Sequence, residues 1–98
     1  MTMAARKVQL DERQIALIAR ALGDPRRVEI LREVGAAKTT CPCCQLLESQ
    51  SITAATLSHH MKELENAGLI DVIREGKTAR YAVRRDVLAA YLKDLAKI

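Results

Sequence analysis

The chain has 98 residues, enough for one modest hydrophobic core and too few for two. Apolar residues make up 49% of it and aromatic ones only 2%, with no Phe or Trp, so the core must be built from Leu, Ile, Val and Ala, a composition that favours packed helices over a sandwich or barrel. A formal net charge of +4 points to an anionic partner, while the lack of a membrane-length apolar run or a signal-peptide core in Met1 to Val8 leaves no membrane role and an expected location in the cytoplasm.

Residues 1–10 carry Arg6 and Lys7 without periodicity and read as a flexible arm ahead of a single domain spanning 11–98. Asp11 is a suitable N-cap for a first helix, Gln14 is placed to reach back as in a capping box, and Leu10 and Ile15 have hydrophobic-staple spacing. Ile15, Ile18, Ala19 and Leu22 recur at helical spacing before Gly23. A second start follows at once, with Asp24 as cap and Pro25 at the first helical position, then Val28, Ile30, Leu31 and Val34 before Gly35. Ala36 to Thr40 reads as a loop, and Pro42 opens a short third helix through Gln45, Leu46 and Leu47 to about Ser49.

Thr53 is a candidate N-cap for a fourth helix, which carries Leu57, Met61 and Leu64 on one face and closes at Gly68. A short helix, a tight turn and a longer helix make a helix-turn-helix. Leu69 to Arg74 and Thr78 to Val83 are β-rich runs around Glu75-Gly76-Lys77, the pattern of a hairpin wing. Asp86 is a candidate cap for a last helix with Leu88, Tyr91, Leu92 and Leu95 on one stripe, widened by Val87 and Ile98. The expected fold is therefore mainly α with a small β-hairpin, in the order α-α-α-α-β-β-α. A small domain gains by burying such a terminal stripe against a second copy, so Ile15, Ile18, Leu22, Leu88, Tyr91, Leu92 and Leu95 are the expected homodimer contacts.

With Leu57, Met61 and Leu64 turned inward, positions 55, 56, 58, 59, 62, 63 and 66 face outward on the fourth helix. Thr53, Thr56, Ser58, His59 and Lys62 then offer short or flexible hydrogen-bonding groups of the kind that read base edges in the major groove, and the small Ala54 and Ala55 allow close approach. His60 sits partly inward, beside Met61 and Leu64, where a structural hydrogen bond is expected in place of a base contact. Arg74, Lys77 and Arg80 add cations on the wing for backbone or minor-groove contact. Arg26 and Arg27 face either phosphates or the carboxylates of Glu29 and Glu33.

Several words in this order resemble the winged-helix regulators of the ArsR/SmtB family: Ala21 to Arg27 with Ile30-Leu31, Thr56 to Leu64, Ala67 to Ile70, and Arg74 to Lys77 with Arg80-Tyr81. The resemblance covers most of the chain. It implies a dimeric repressor seated on a two-fold symmetric operator in double-stranded DNA and released by metal, metalloid or thiol chemistry.

Cys41, Cys43 and Cys44 crowd the start of the third helix, where a helix dipole favours thiolate. Trivalent arsenic or antimony, or another thiophilic metal, is the ligand such soft donors would select, although no cofactor is required for folding. Arsenic-responsive members of the family carry a Cys-x-Cys pair here. Counting back from Thr53, Cys44 falls on the second cysteine of that pair and Pro42 on the first, with Cys41 one place early. Metalloid or soft-metal capture, reversible thiol oxidation and no sensing role all remain open.

The main rival is a small thiol-disulfide redox protein using the Cys-x-x-Cys spacing of Cys41 and Cys44. Such motifs follow a β-strand in a βαβ unit, and the preceding 35 residues read as helices. No Ser-His-Asp set, phosphate-cradling glycine loop or paired carboxylates appear either, so an enzyme is not expected. A protein-binding winged helix is a third reading, disfavoured by the basic wing.

Overall fold

The computed structural model describes residues 8–98. The part of the expected arm that carries Arg6 and Lys7 lies outside them, whereas Val8 and Leu10 already pack against the core. The elements run α1 (Glu12–Leu22), α2 (Pro25–Ala36), β1 (Cys41–Pro42), α3 (Cys43–Gln50), α4 (Ala54–Asn66), β2 (Ile70–Glu75), β3 (Thr78–Val83) and α5 (Arg85–Leu95).

Local chemistry sets most of these boundaries. Asp11 caps α1 by accepting from the Gln14 amide N–H at 2.8 Å, and Asp24 caps α2 by accepting from the Arg26 N–H at 2.9 Å, with Pro25 at the first helical position. Helix α4 ends in a Schellman arrangement, in which the Leu69 N–H donates back to the Leu64 carbonyl at 3.0 Å and Gly68 adopts φ +79° at no Cβ cost.

Four local expectations change. The Gln14 side chain does not close a capping box; its Nε2 donates to the Ala67 carbonyl at 3.2 Å and so ties α1 to the end of α4. The buried face of α1 is Ile18 and Ala21, leaving Ala19 exposed. Gly35 does not stop α2, which continues through Ala36, and the N-cap of α5 is Arg84, so that Asp86 lies in the first turn, bonded to Arg84.

The sheet has three antiparallel strands in the order β1-β3-β2, one more than the hairpin expected. Cys41 and Pro42, expected at the start of the third helix, instead form a strand that pairs with β3, Cys41 opposite Tyr81 and Pro42 opposite Arg80. The order of elements along the chain is therefore α-α-β-α-α-β-β-α. The core is aliphatic, with Ile18, Ile30, Leu46, Leu64 and Leu69 fully enclosed, and it joins α1, α2, α3 and α4 to the base of the wing. Helix α5 reaches this core through Val87 and Tyr91, and the Arg85 guanidinium fastens its start to the Gly35 carbonyl at 2.7 Å. Among the described residues no helix is long and apolar enough to cross a membrane.

Candidate nucleic-acid interface

Helix α4 is divided cleanly by burial. Leu57, His60, Met61 and Leu64 point into the core at the spacing i, i+3, i+4, i+7, while Ala54, Ala55, Thr56, Ser58, His59, Lys62 and Asn66 are exposed. Glu63, expected outward, is half-buried. Thr53 caps the helix: its Oγ1 accepts from the Thr56 N–H at 3.1 Å and donates to Thr56 Oγ1 at 2.9 Å. Both threonines are thus at the helix start, with Thr53 already engaged in the cap. The turn before it passes through Ser51 in the left-handed region, φ 51° and ψ 47°, which swings α4 away from α3.

Two polar knots hold this helix-turn-helix against α2. The Glu33 carboxylate accepts from the Ser49 hydroxyl at 2.6 Å and from the side-chain amides of Gln45 at 3.0 Å and Gln50 at 3.1 Å. These hydrogen bonds, the one from Ser49 first, hold its carboxyl below the usual range. Arg26 donates to the Gln50 carbonyl at 2.6 Å, and Arg27 donates to the Ala21 carbonyl at 2.8 Å and pairs with Asp24 at 3.6 Å. Neither arginine pairs with Glu29 or Glu33. Both act within the fold as stitches between helices.

The wing turns at Gly76, φ +61°, and leaves Arg74 and Lys77 exposed. Arg80 does not join them. It is half-buried at the sheet's far side, and its Nε donates to Thr40 Oγ1 at 2.6 Å, a bond that ties the wing to the segment ahead of the cysteines. No carboxylate among the described residues forms an ion pair with Lys62, Arg74 or Lys77. Ser58, Lys62 and Glu65 of α4 meet Arg74 and Tyr81 of the wing around a notch of about 90 Å³, so helix and wing present their cations on one surface. In the sequence Tyr81 stands out only as part of a wing word and carries no site role, because its ring reads as a strand apolar. Burial pushes its phenol pKa up, and the nearby Cys43 adds to this.

His60 is buried and its Nδ1 has no hydrogen-bond partner among the described residues, so the structural bond expected of it is not formed there. Burial lowers its pKa from the ordinary 6.5; Arg27, His59 and Arg26 add to this, and Asp24 opposes it. The unfolded chain therefore takes up the proton first as the pH falls. The His60 contribution to stability is complete above the ordinary value and is lost through the lower folded one. Urea midpoints measured from about pH 7.5 to about pH 5.5 should fall in the wild type and fall less in His60→Leu. Equal slopes would remove His60 from the pH dependence.

The three cysteines are separated in depth. Cys41 is enclosed on β1, Cys43 is half-buried at the first turn of α3, and Cys44 is exposed. Burial, then the charge of Glu33, pushes the Cys41 thiol pKa up, opposite to the thiolate-favouring setting expected of the whole cluster, because Cys41 lies in the sheet and not on the helix. Among the described residues no three His, Cys, Asp or Glu side chains group into a metal site, so the free protein holds no preformed three-thiol cap. The strand at Cys41 belongs to the wing sheet and not to a βαβ unit, which removes the context of a redox enzyme.

The expected homodimer contacts fall into two groups. Ile18 is 0% exposed and Tyr91 is buried, so both are consumed by the protomer's own core and have little surface left for a second copy. Leu92 and Leu95 are 56% and 42% exposed, and Leu88, Ile15 and Leu22 are half-buried. Leu22, Leu88 and Leu92 also line an open apolar groove of about 620 Å³ between α2 and α5.

A family model described as a helix-turn-helix domain matches residues 22–73. The chain is 32% identical over 90 residues to the HTH-type transcriptional regulator CmtR of Mycobacterium tuberculosis, covering 92% of this chain and 75% of that one. It is 32% identical over 76 residues to the arsenical resistance operon repressor of Staphylococcus xylosus, covering 78% and 71%. Among solved structures it is similar to an ArsR-like transcriptional regulator from Rhodococcus sp. RHA1, with TM-score 0.75, 25% identity and coverage of 87% and 78%. It also matches the solution structure of the homodimeric winged helix-turn-helix DNA-binding domain Mb0332 from Mycobacterium bovis, with TM-score 0.70, 22% identity and coverage of 92% and 89%. These relatives are transcriptional regulators and not enzymes, and the four family words, the wing on a helix-turn-helix and the buried stripe of α4 agree with them: the chain belongs to the ArsR family of winged helix-turn-helix transcriptional regulators.

Proposed function

We propose that the protein is a cytoplasmic homodimeric repressor that reads a two-fold symmetric operator, with Thr56, Ser58, His59 and Lys62 at base edges and phosphates in the major groove and Arg74 and Lys77 on the flanking backbone. The observation that carries this reading is the notch shared by α4 and the wing, where Lys62 and Arg74 stand; neither they nor Lys77, exposed at the wing turn, form an ion pair with a carboxylate among the described residues. Cations left unpaired beside exposed hydroxyls suit a polyanion. The second copy covers Leu88, Leu92 and Leu95 of α5 with Ile15 and Leu22, an apolar strip that a monomer leaves in water.

Release runs through Cys43 and Cys44, the two thiols that solvent reaches, with a thiophilic metalloid or metal as the inducer. The arsenical resistance repressor among the relatives supports this choice. Among the described residues no three ligand side chains stand grouped, so a three-coordinate ion has to draw a further ligand toward Cys43 and Cys44 and so rearrange the start of α3 against the wing sheet.

Gel shifts with the gene's own upstream region test the DNA reading. Three phosphate contacts per protomer in a dimer predict a slope of roughly −5 in log affinity against log salt. No preference for any upstream fragment over random duplex would remove operator recognition. In the same assay arsenite, antimonite or a soft metal should release the wild type and leave the Cys43→Ser, Cys44→Ser variant bound. Release by peroxide alone would move the inducer to thiol oxidation, and no release by any agent would leave the cysteines without a sensing role.

A further inference from the structure

The notch between α4 and the wing is built around a buried tyrosine for which neither the helix-turn-helix nor the wing tip accounts. Tyr81 lies on the central strand β3, fixed on one side opposite Val72 of β2 and on the other opposite Cys41 of β1. Its residue is only 7% exposed, the ring belonging to the core, yet it lines the notch together with Ser58, Lys62, Glu65 and Arg74. No described residue accepts from or donates to its hydroxyl, and that hydroxyl is not among the enclosed orphan atoms, of which His60 Nδ1 is the one found. A rigid ring thus carries a donor without a partner among the described residues to the surface where α4 and the wing join.

We infer that this notch is a seat for one phosphodiester group of the DNA backbone, in which the Tyr81 hydroxyl donates to a phosphate oxygen between the cations of Lys62 and Arg74. The inference rests on the DNA reading proposed above and adds a contact residue to it. Several observations point the same way. Two cations against the one carboxylate of Glu65 leave a single positive charge, the complement of a monoanionic diester. The notch sits in the angle between helix and wing, off the exposed crest of α4, where a backbone crossing from one groove to the next would pass. The raised pKa keeps the phenol protonated and therefore a donor.

The test compares wild type with Tyr81→Phe by fluorescence anisotropy on the preferred upstream duplex and on random duplex. The ring stays in the core, so thermal stability should hold. Affinity should fall about tenfold on both duplexes, about 1.4 kcal/mol, with an unchanged salt slope because no charge is removed. Scanning the duplex with single neutral methylphosphonate linkages should reveal one position per half-site that weakens the wild type and weakens Tyr81→Phe markedly less. If Tyr81→Phe fails to fold, 3,5-difluorotyrosine placed at position 81 keeps the shape and lowers the phenol pKa, and binding should then weaken as the pH rises above neutrality. Wild-type affinity in Tyr81→Phe, a loss confined to the preferred duplex, or a pH-independent fluorotyrosine protein would each overturn the phosphate seat. A wild type that prefers no upstream fragment would instead overturn the DNA reading beneath it.

Discussion

Replacing Leu64 with alanine is expected to cost about 2–5 kcal/mol of folding stability, the range for a fully enclosed leucine whose cavity is only partly refilled. Leu64 is fully enclosed, at the last inward position of α4, and its carbonyl also receives the Leu69 N–H that ends the helix. It belongs to a core cluster that is mostly aliphatic, and no Phe or Trp stands in the sequence to lean into the gap. Against a total of about 5–15 kcal/mol for a domain of this kind, such a loss is a large share. Thermal unfolding followed by circular dichroism should drop by roughly 8 °C or more. Ser58→Ala, on the exposed face of the same helix, should stay close to the wild type. A Leu64→Ala protein within 1 kcal/mol of the wild type would contradict the placement of α4 on the core.

The second large effect concerns the wing. With Arg74 and Lys77 both changed to alanine, two phosphate contacts per protomer disappear, and the salt slope of a dimer should become shallower by roughly 4. Affinity should fall together on cognate and random duplex, since backbone contacts carry no sequence information. Both side chains are exposed and neither is paired among the described residues, so the fold should not notice the change. An unchanged slope would take the wing off the DNA.

Much of this architecture is legible residue by residue. Asp11, Asp24 and Thr53 mark helix starts because an acceptor side chain before an apolar-periodic run has one common use, and all three make the cap bond. Gly76 marks the wing turn because the turn needs a positive φ. The inward stripe of α4 follows from its spacing, and so does the exposure of Thr56, Ser58, His59 and Lys62.

What was not legible depends on partners far away in the chain. Strand β1 has two residues, too few for any period, and exists only because Tyr81 and Arg80 lie alongside it. Arg80 looks like a third wing cation until Thr40 is found within 2.6 Å of it. Glu33 and Gln14 have ordinary helical positions, and only the arrival of α3 and of the α4 terminus makes them ties. Ile18 and Tyr91 show why an apolar stripe underdetermines its own burial, since periodicity gives a face without saying whether the same chain or a second copy covers it. For the cysteines, adjacency in sequence suggested a cluster, and the change from strand to helix between Pro42 and Cys43 splits it.

The central claim is that α4 reads bases through its exposed crest. It is tested most directly by selecting preferred sequences from a duplex library with randomised half-sites, using the wild type, Ser58→Ala and His59→Ala. The account predicts that each variant keeps its affinity for random duplex and loses or changes preference at one or two base positions in each half-site, by about 1–3 kcal/mol at each. Identical preferences in all three proteins would contradict it.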